Sequence, residues 1–264
     1  MLNLINPLVL PDDLAVGHYA AEIIFTELVR AKSEGRPFVL GCPGGRTPRS
    51  TYNALAAMIK AGKQNISHVV IAMMDEFLQE NADGTYTNHS EDKHFSCARF
   101  AKLEIFDVLN SGAPEGGKIP AENVRFPDAA DPQGYEDYLR KVGVNVFLMA
   151  SGASDGHVAF NPPGTEKSAR TRIVRIADET RQDNLGTFPD FKDVDEVPKY
   201  GVSVGPTTMI DVSEIVVMEL IGSHKNLAFK RISAATNYES DWPSTVVREC
   251  KDYYILADKA AANS

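Results

Sequence analysis

Four short stretches of the chain gather residue types that move protons or hold anions. The first is SGASDGH, where Asp155 stands two residues before His157. Imidazole has an ordinary pKa of about 6.5, so it takes and gives a proton near neutrality. A carboxylate beside it can orient the ring and raise its basicity. Gly152 and Gly156 permit a sharp turn around the pair. The second stretch is MMDEF, with Asp75 and Glu76. A carboxylate there can shuttle a proton on a bound substrate. Adjacent side chains in extended chain point to opposite sides, so one of the two, Asp75, is expected to face a site. The third is GCPGGRTP, where Gly44 and Gly45 let backbone N–H groups approach an anion ahead of a helix N-terminus. Arg46 adds a planar fork suited to phosphate or carboxylate, and Thr47 adds a hydroxyl. The fourth is GSHKNL, where Lys225 opens a helix and can meet phosphate as a point charge.

Each stretch has an ordinary alternative: a hydrogen-bonded loop histidine, a capping carboxylate, a tight strand-to-helix turn, a solvated lysine. Glu219 interrupts the apolar run EIVVMELIG. It is expected near a strand end, exposed or salt-bridged, with a role beside Lys225 as the second option. Other chemistries lack their patterns. The glycine loop has no GK[ST] ending and is not GxGxxG. Ser151 and Ser154 lack a GxSxG elbow. No HxxxH, HExxH or acidic triplet marks a metal site. Cys42, Cys97 and Cys250 are odd in number and widely spaced, which fits a reducing, cytoplasmic setting.

Charge narrows the partners. A net charge of −9 argues against a nucleic-acid face, while leaving room for a local phosphate site. The start, MLNLINPLVLPDD, has no basic cluster and breaks at Pro7 and Pro11, unlike a signal peptide. No apolar run approaches the roughly 18 residues of a membrane span.

The elements that must position these residues alternate. Val16, Ala20, Ile23, Ile24, Leu28 and Ala31 form one apolar face of a helix over 13–34. FVLG (38–41) reads as a buried strand, and Tyr52, Leu55 and Ile59 mark a helix that stops at Gly62. HVVIAMM (68–74) is strand-like. Residues 79–94 read as a long polar loop, 95–109 as helical and 111–133 as irregular. GYEDYLRKVG is a short helix, VNVFLMA and TRIVRI are strands, HKNLAFKRISAA is a helix and DYYILAD a last strand. The pattern predicts one α/β domain over 1–264, a mostly parallel sheet with helices on both faces. In such sheets ligands bind at the carboxyl ends of strands, and all four chemical stretches follow a strand.

The ordered set PGGRTP, MDEF, DGHVAFNPPG, RTRIV, VPKYGVSVG and IGSHK resembles the glucosamine-6-phosphate deaminase/isomerase family, over residues 36–260. The related 6-phosphogluconolactonases share the fold and a DGH loop. The resemblance implies a modified Rossmann-type fold and no organic cofactor. It implies conversion of an amino-sugar 6-phosphate to fructose 6-phosphate and ammonia, by a monomer or a homo-oligomer. His157 would relay a proton as the pyranose ring opens and Asp155 would hold it. Asp75 would move a proton between C2 and C1, with Glu76 and Glu219 as secondary candidates. Gly44, Gly45, Arg46, Thr47 and Lys225 would hold the phosphate, with Gly156 and Arg172 also among the binding positions.

Four departures set the chain apart from that pattern. Pro162 stands where the family's DGHIAFNEP has a glutamate, so His157 loses one expected carboxylate partner. The loop reads GGRTP rather than TGGTP and is closer to the lactonase GGSTP. A phosphate-binding arginine expected within NLGTFPDF is missing, and Arg46 is expected to supply that charge from across the pocket. Val174 replaces a lysine of the allosterically regulated members, although Arg172 is kept. A lactonase, or a regulator that binds sugar phosphate without turnover, therefore stays open beside the deaminase reading.

Overall fold

The computed structural model describes residues 7–263; Met1–Asn6, the first part of the stretch compared with a signal peptide, lie outside them. Seven strands form one parallel sheet in the order β1-β11-β10-β7-β2-β3-β6. They are β1 (Leu8–Leu10), β2 (Phe38–Cys42), β3 (Val69–Met73), β6 (Val124–Arg125), β7 (Val144–Ala150), β10 (Ser213–Leu220) and β11 (Tyr253–Asp258). Alternate residues of the strands feed two cores, one on each face, as period-two geometry requires. On one face Phe38, Leu40, Val146, Leu148, Val217 and Leu256 meet α1 (Asp13–Ser33), α2 (Arg49–Ala61) and α4 (Asp107–Gly112). On the other, Val39, Phe147, Met149, Val216 and Met218 meet α5 (Pro132–Val142), α7 (Pro206–Val212) and α8 (Asn226–Ala234). The predicted apolar faces are the buried ones: Val16, Ala20, Ile24, Leu28 and Ala31 on α1, and Tyr52, Leu55 and Ile59 on α2.

A second sheet departs from the simple alternation. It is antiparallel, in the order β5-β4-β9-β8, from β4 (Asp75–Glu80), β5 (Tyr86–Asn88), β8 (Arg172–Arg175) and β9 (Tyr200–Ser203). It revises the reading of 79–94 as one long loop. Gln79 and Glu80 continue β4, and a turn with Gly84 at φ +82° returns the chain as β5. Tyr86 packs on Tyr200 of β9 at 4.8 Å, which gives this polar hairpin its apolar anchor. The stretch read as irregular over 111–133 likewise holds β6 and the start of α5. The chain passes between sheets at Met74. Its N–H donates to Cys42 O in the first sheet, and its carbonyl accepts from Val204 N beyond β9.

Helix α6 (Asp178–Thr187) leaves the second sheet and lies over the strand ends. Buried Arg181 ties it down through donations to the carbonyls of Val194 and Val197. A run of helix, α3 (Cys97–Phe100) continuing through 101–106 into α4, covers the neighbouring edge, and α9 (Lys259–Ala262) follows β11. No helix among the described residues is long and apolar enough to cross a membrane.

Candidate functional site

A cleft of about 630 Å³ opens at the carboxyl ends of β2, β3, β7 and β10, and all four chemical stretches reach it. Gly44, Gly45, Arg46 and Thr47 line it from the β2–α2 loop, Asp75 from the start of β4, Ser151 and His157 from the loop after β7, and Lys225 from the turn before α8. Helix α2 has no side-chain cap at its N-terminus; its first amide, Arg49 N–H, donates back to Arg46 O, and the amides of Ser50 and Thr51 are left for an incoming acceptor beside the glycine loop.

His157 and Asp155 form a close pair. Asp155 Oδ1 lies 2.7 Å from His157 Nδ1 and 3.1 Å from its backbone N–H. The carboxylate only accepts, so Nδ1 carries the hydrogen and Nε2 keeps its lone pair. Thr180 on α6 donates to Asp155 Oδ2 at 2.9 Å, so the acid is held from two sides. Burial works to raise the Asp155 carboxyl, but the His157 contacts and Thr180 outweigh it and bring the group to about 2. Asp155 is therefore a fixed anion behind the ring. The turn depends on glycine. A Cβ at Gly152 would stand 2.1 Å from Asp155 Oδ1 and 2.3 Å from His157 Nδ1.

Asp75 is the carboxylate of its pair that lines the cleft. It is only 4 % exposed, and burial is the main cause that raises it to about 7; Glu76 adds to the rise and the Cys97 thiol opposes it. Cys97 Sγ lies 3.5 Å from Asp75 Oδ1. Gly44 lets the phosphate-type loop pack closely here, since a Cβ would meet Cys97 Sγ at 2.9 Å and Asp75 Oδ1 at 3.3 Å. Glu76 points the other way. It accepts from the amides of Phe77, Cys97 and Ala98 and from Ser96 Oγ, which fastens the start of α3 to β4.

Lys225 Nζ donates to Ser151 O at 2.5 Å. Burial lowers its pKa, and Asp183 and Asp155 oppose the shift. Arg46 is exposed at the rim and makes no salt bridge among the described residues. It faces the same cleft as Gly186, Thr187 and Phe188, the segment in which an arginine was expected.

Besides Asp155 and Glu76, which stand behind the cleft, three predicted positions lie away from its lining. Gly156 is at φ +68° with Trp242 against it; a Cβ would come within 2.2 Å of that ring, so its glycine serves the turn and the packing. Arg172 donates to Asn161 Oδ1 and Arg170 O, bracing the loop after His157 from behind, and burial lowers its pKa. Glu219 is neither exposed nor salt-bridged, contrary to expectation. It is fully buried in the middle of the sheet, on the face that receives α2, where its Oε1 accepts from Thr51 Oγ1 at 2.6 Å. No cation reaches it, and burial raises it to about 8.

The sequence reading missed α6 altogether. Thr180, Asp183, Asn184 and Thr187 line the cleft at i, i+3, i+4 and i+7, one face of the helix. A search for polar as well as apolar periodicity would have found that stripe. Cys97, Phe77 and Phe160 also line the cleft, and no local signal marks them.

A family model described as glucosamine-6-phosphate isomerases/6-phosphogluconolactonase matches residues 11–255. Among solved structures, a monomeric glucosamine-6-phosphate deaminase superposes with a TM-score of 0.80 at 22 % identity, covering 97 % of this chain and 98 % of that one. The 6-phosphogluconolactonase of Trypanosoma brucei gives 0.68 at 18 %, with the same coverages. That of Thermotoga maritima gives 0.64 at 19 %, covering 96 % and 98 %. At these identities the superpositions speak for the fold, and the family model spans nearly the whole chain. The chain belongs to the family of glucosamine-6-phosphate isomerases and 6-phosphogluconolactonases.

Proposed function

We propose that the protein is a hexose-6-phosphate isomerase/deaminase that converts an amino-sugar 6-phosphate to a ketose 6-phosphate and ammonia. The observation that carries this reading is Asp75, a second proton carrier in the cleft, separate from the Asp155–His157 pair and brought to about 7 by burial. Opening a lactone needs one base to activate water. An aldose–ketose shift needs a relay at the ring oxygen and another base at C1 and C2. A base whose pKa lies near the working pH both removes and returns a proton efficiently.

The steps follow from the placement. The glycine loop, the α2 N-terminus, Arg46 and Lys225 hold the phosphate and so fix the sugar. His157 Nε2 takes the proton of the anomeric hydroxyl and delivers it to the ring oxygen as the C1–O5 bond breaks. Asp75 then removes the hydrogen on C2 as a proton while the C1 carbonyl oxygen takes a proton from water, giving an enolamine, and delivers its proton to C1 as the nitrogen gives one up to water. The resulting imine at C2 takes up water and releases ammonia.

Two observations favour a lactonase instead. Pro162 stands where the resemblance calls for a glutamate, and the GG-x-TP spacing is nearer the lactonase loop. In that reading His157 activates water against a lactone carbonyl. Incubation of the purified protein with glucosamine 6-phosphate, galactosamine 6-phosphate and 6-phosphogluconolactone separates the readings. Ammonia release is expected. Lactone opening above background without ammonia would replace the first reading by the second. A ligand-induced thermal shift with no turnover of any of the three would mark a binding regulator.

A further inference from the structure

Asp183 points into the cleft from α6, one helical turn beyond Thr180, which holds the Asp155–His157 pair. Its side chain makes no hydrogen bond or salt bridge among the described residues. Yet carboxylate oxygens of Asp183 and Asp155 and a ring nitrogen of His157 all lie within 4.8 Å of one another. Asp155 and Thr180 already occupy Nδ1 of the ring, whereas Asp183 stands exposed beside them on the cleft wall with its carboxylate open to a ligand. Carboxylates accept hydrogen bonds and do not donate them. An atom bound by Asp183 must therefore carry hydrogen, as a hydroxyl or an amino nitrogen does, and an anionic oxygen is repelled.

We propose that Asp183 is a substrate-contacting specificity residue: beside His157 it accepts from a hydrogen-bearing atom of the sugar and bars a carboxylate from that place. This rests on the hexose-6-phosphate reading and sharpens it. A polyol or open amino sugar satisfies Asp183. A sugar acid 6-phosphate, which carries a carboxylate at C1, does not.

Two ligands that differ only at C1 test it without requiring turnover: glucitol 6-phosphate, with a hydroxyl, and 6-phosphogluconate, with a carboxylate. Their affinities are measured by calorimetry for the full-length wild type, Asp183→Asn and Asp183→Glu. The wild type is expected to favour glucitol 6-phosphate. Removing one of two like charges about 5 Å apart, at an effective dielectric of about 40 to 80, should move the affinity ratio roughly four- to sixteen-fold toward 6-phosphogluconate. Asp183→Glu should restore the wild-type preference. A ratio unchanged in Asp183→Asn, or an equal loss for both ligands, would overturn the role of Asp183 and leave the hexose-phosphate reading standing. Failure of the wild type to bind either ligand would overturn that reading, and the inference with it.

Discussion

Glu219→Gln tests how far burial alone controls a carboxyl group in this fold. Glu219 sits in a central strand, and among the described residues its side chain has one hydrogen-bond partner, Thr51. Its pKa rises from 4.5 to about 8 because the ionised form would be stranded without water or a cation. The folded value lies above the unfolded one. The neutral group's stability is therefore fully present below about 4.5 and is lost as the pH rises through about 8. Each pH unit in that window costs about 1.4 kcal/mol. At pH 7 the loss is on the order of 3 kcal/mol, and by pH 8 about 4 kcal/mol. Glutamine keeps the shape and the oxygen that accepts from Thr51, and it does not titrate. Urea unfolding of both proteins at pH 5, 6, 7 and 8 gives the difference directly. Other groups that titrate, Asp75 among them, cancel because both proteins share them. The variant should gain on the wild type by about 1.4 kcal/mol per unit, independent of any fixed offset between the side chains. Parallel stability curves over that range would refute the reasoning, since they would mean that Glu219 is ionised at no cost throughout.

Four further substitutions test the cleft. Asp75→Asn should lower kcat by about a hundredfold or more. In the wild type, activity should climb with pH through about 7 as Asp75 ionises, while Cys97→Ala, by removing a donor that lowers this pKa, should move that limb upward; a limb unmoved by Cys97→Ala would detach the thiol from the base. Arg46→Ala should raise KM for the sugar phosphate about tenfold or more with little change in kcat, as loss of a charged phosphate contact requires; an unchanged KM would place the phosphate elsewhere. Gly152→Ala should abolish most turnover while the far-ultraviolet circular dichroism stays native, because the added methyl enters the space between Asp155 and His157; near wild-type kcat would show that the pair tolerates being split.

The parts of this protein legible in its sequence were those written in short range. The apolar faces of α1 and α2 follow from three- and four-residue spacing, and the buried strands from continuous apolar runs. The convergence of GGRTP, Asp75, DGH and Lys225 followed from one topological rule, that parallel strands present their carboxyl ends on the same edge. The antiparallel sheet escaped because its pairings are distant. Asp75 pairs with Ser203 and Arg172 with that same Ser203, and no local pattern announces such partners. Glu219 does lie near the end of β10, but its burial escaped for a similar reason: only the tertiary position of Thr51 supplies the hydrogen bond that lets a neutral acid stay inside.

Pro162 shows where the two kinds of reading meet. In sequence it stands for a missing carboxylate beside His157. In the fold its carbonyl accepts from Thr165 N and Oγ1, closing a turn in which Gly164 takes φ +87°. This proline lies outside the cleft lining, whereas α6 brings Thr180 and Asp183 over the histidine from a different element. The environment of His157 is therefore set by two segments far apart in the chain. A substitution at 162 alone leaves the Asp183 carboxylate in place, so the charge around the imidazole has to be judged from α6 as much as from the DGH loop.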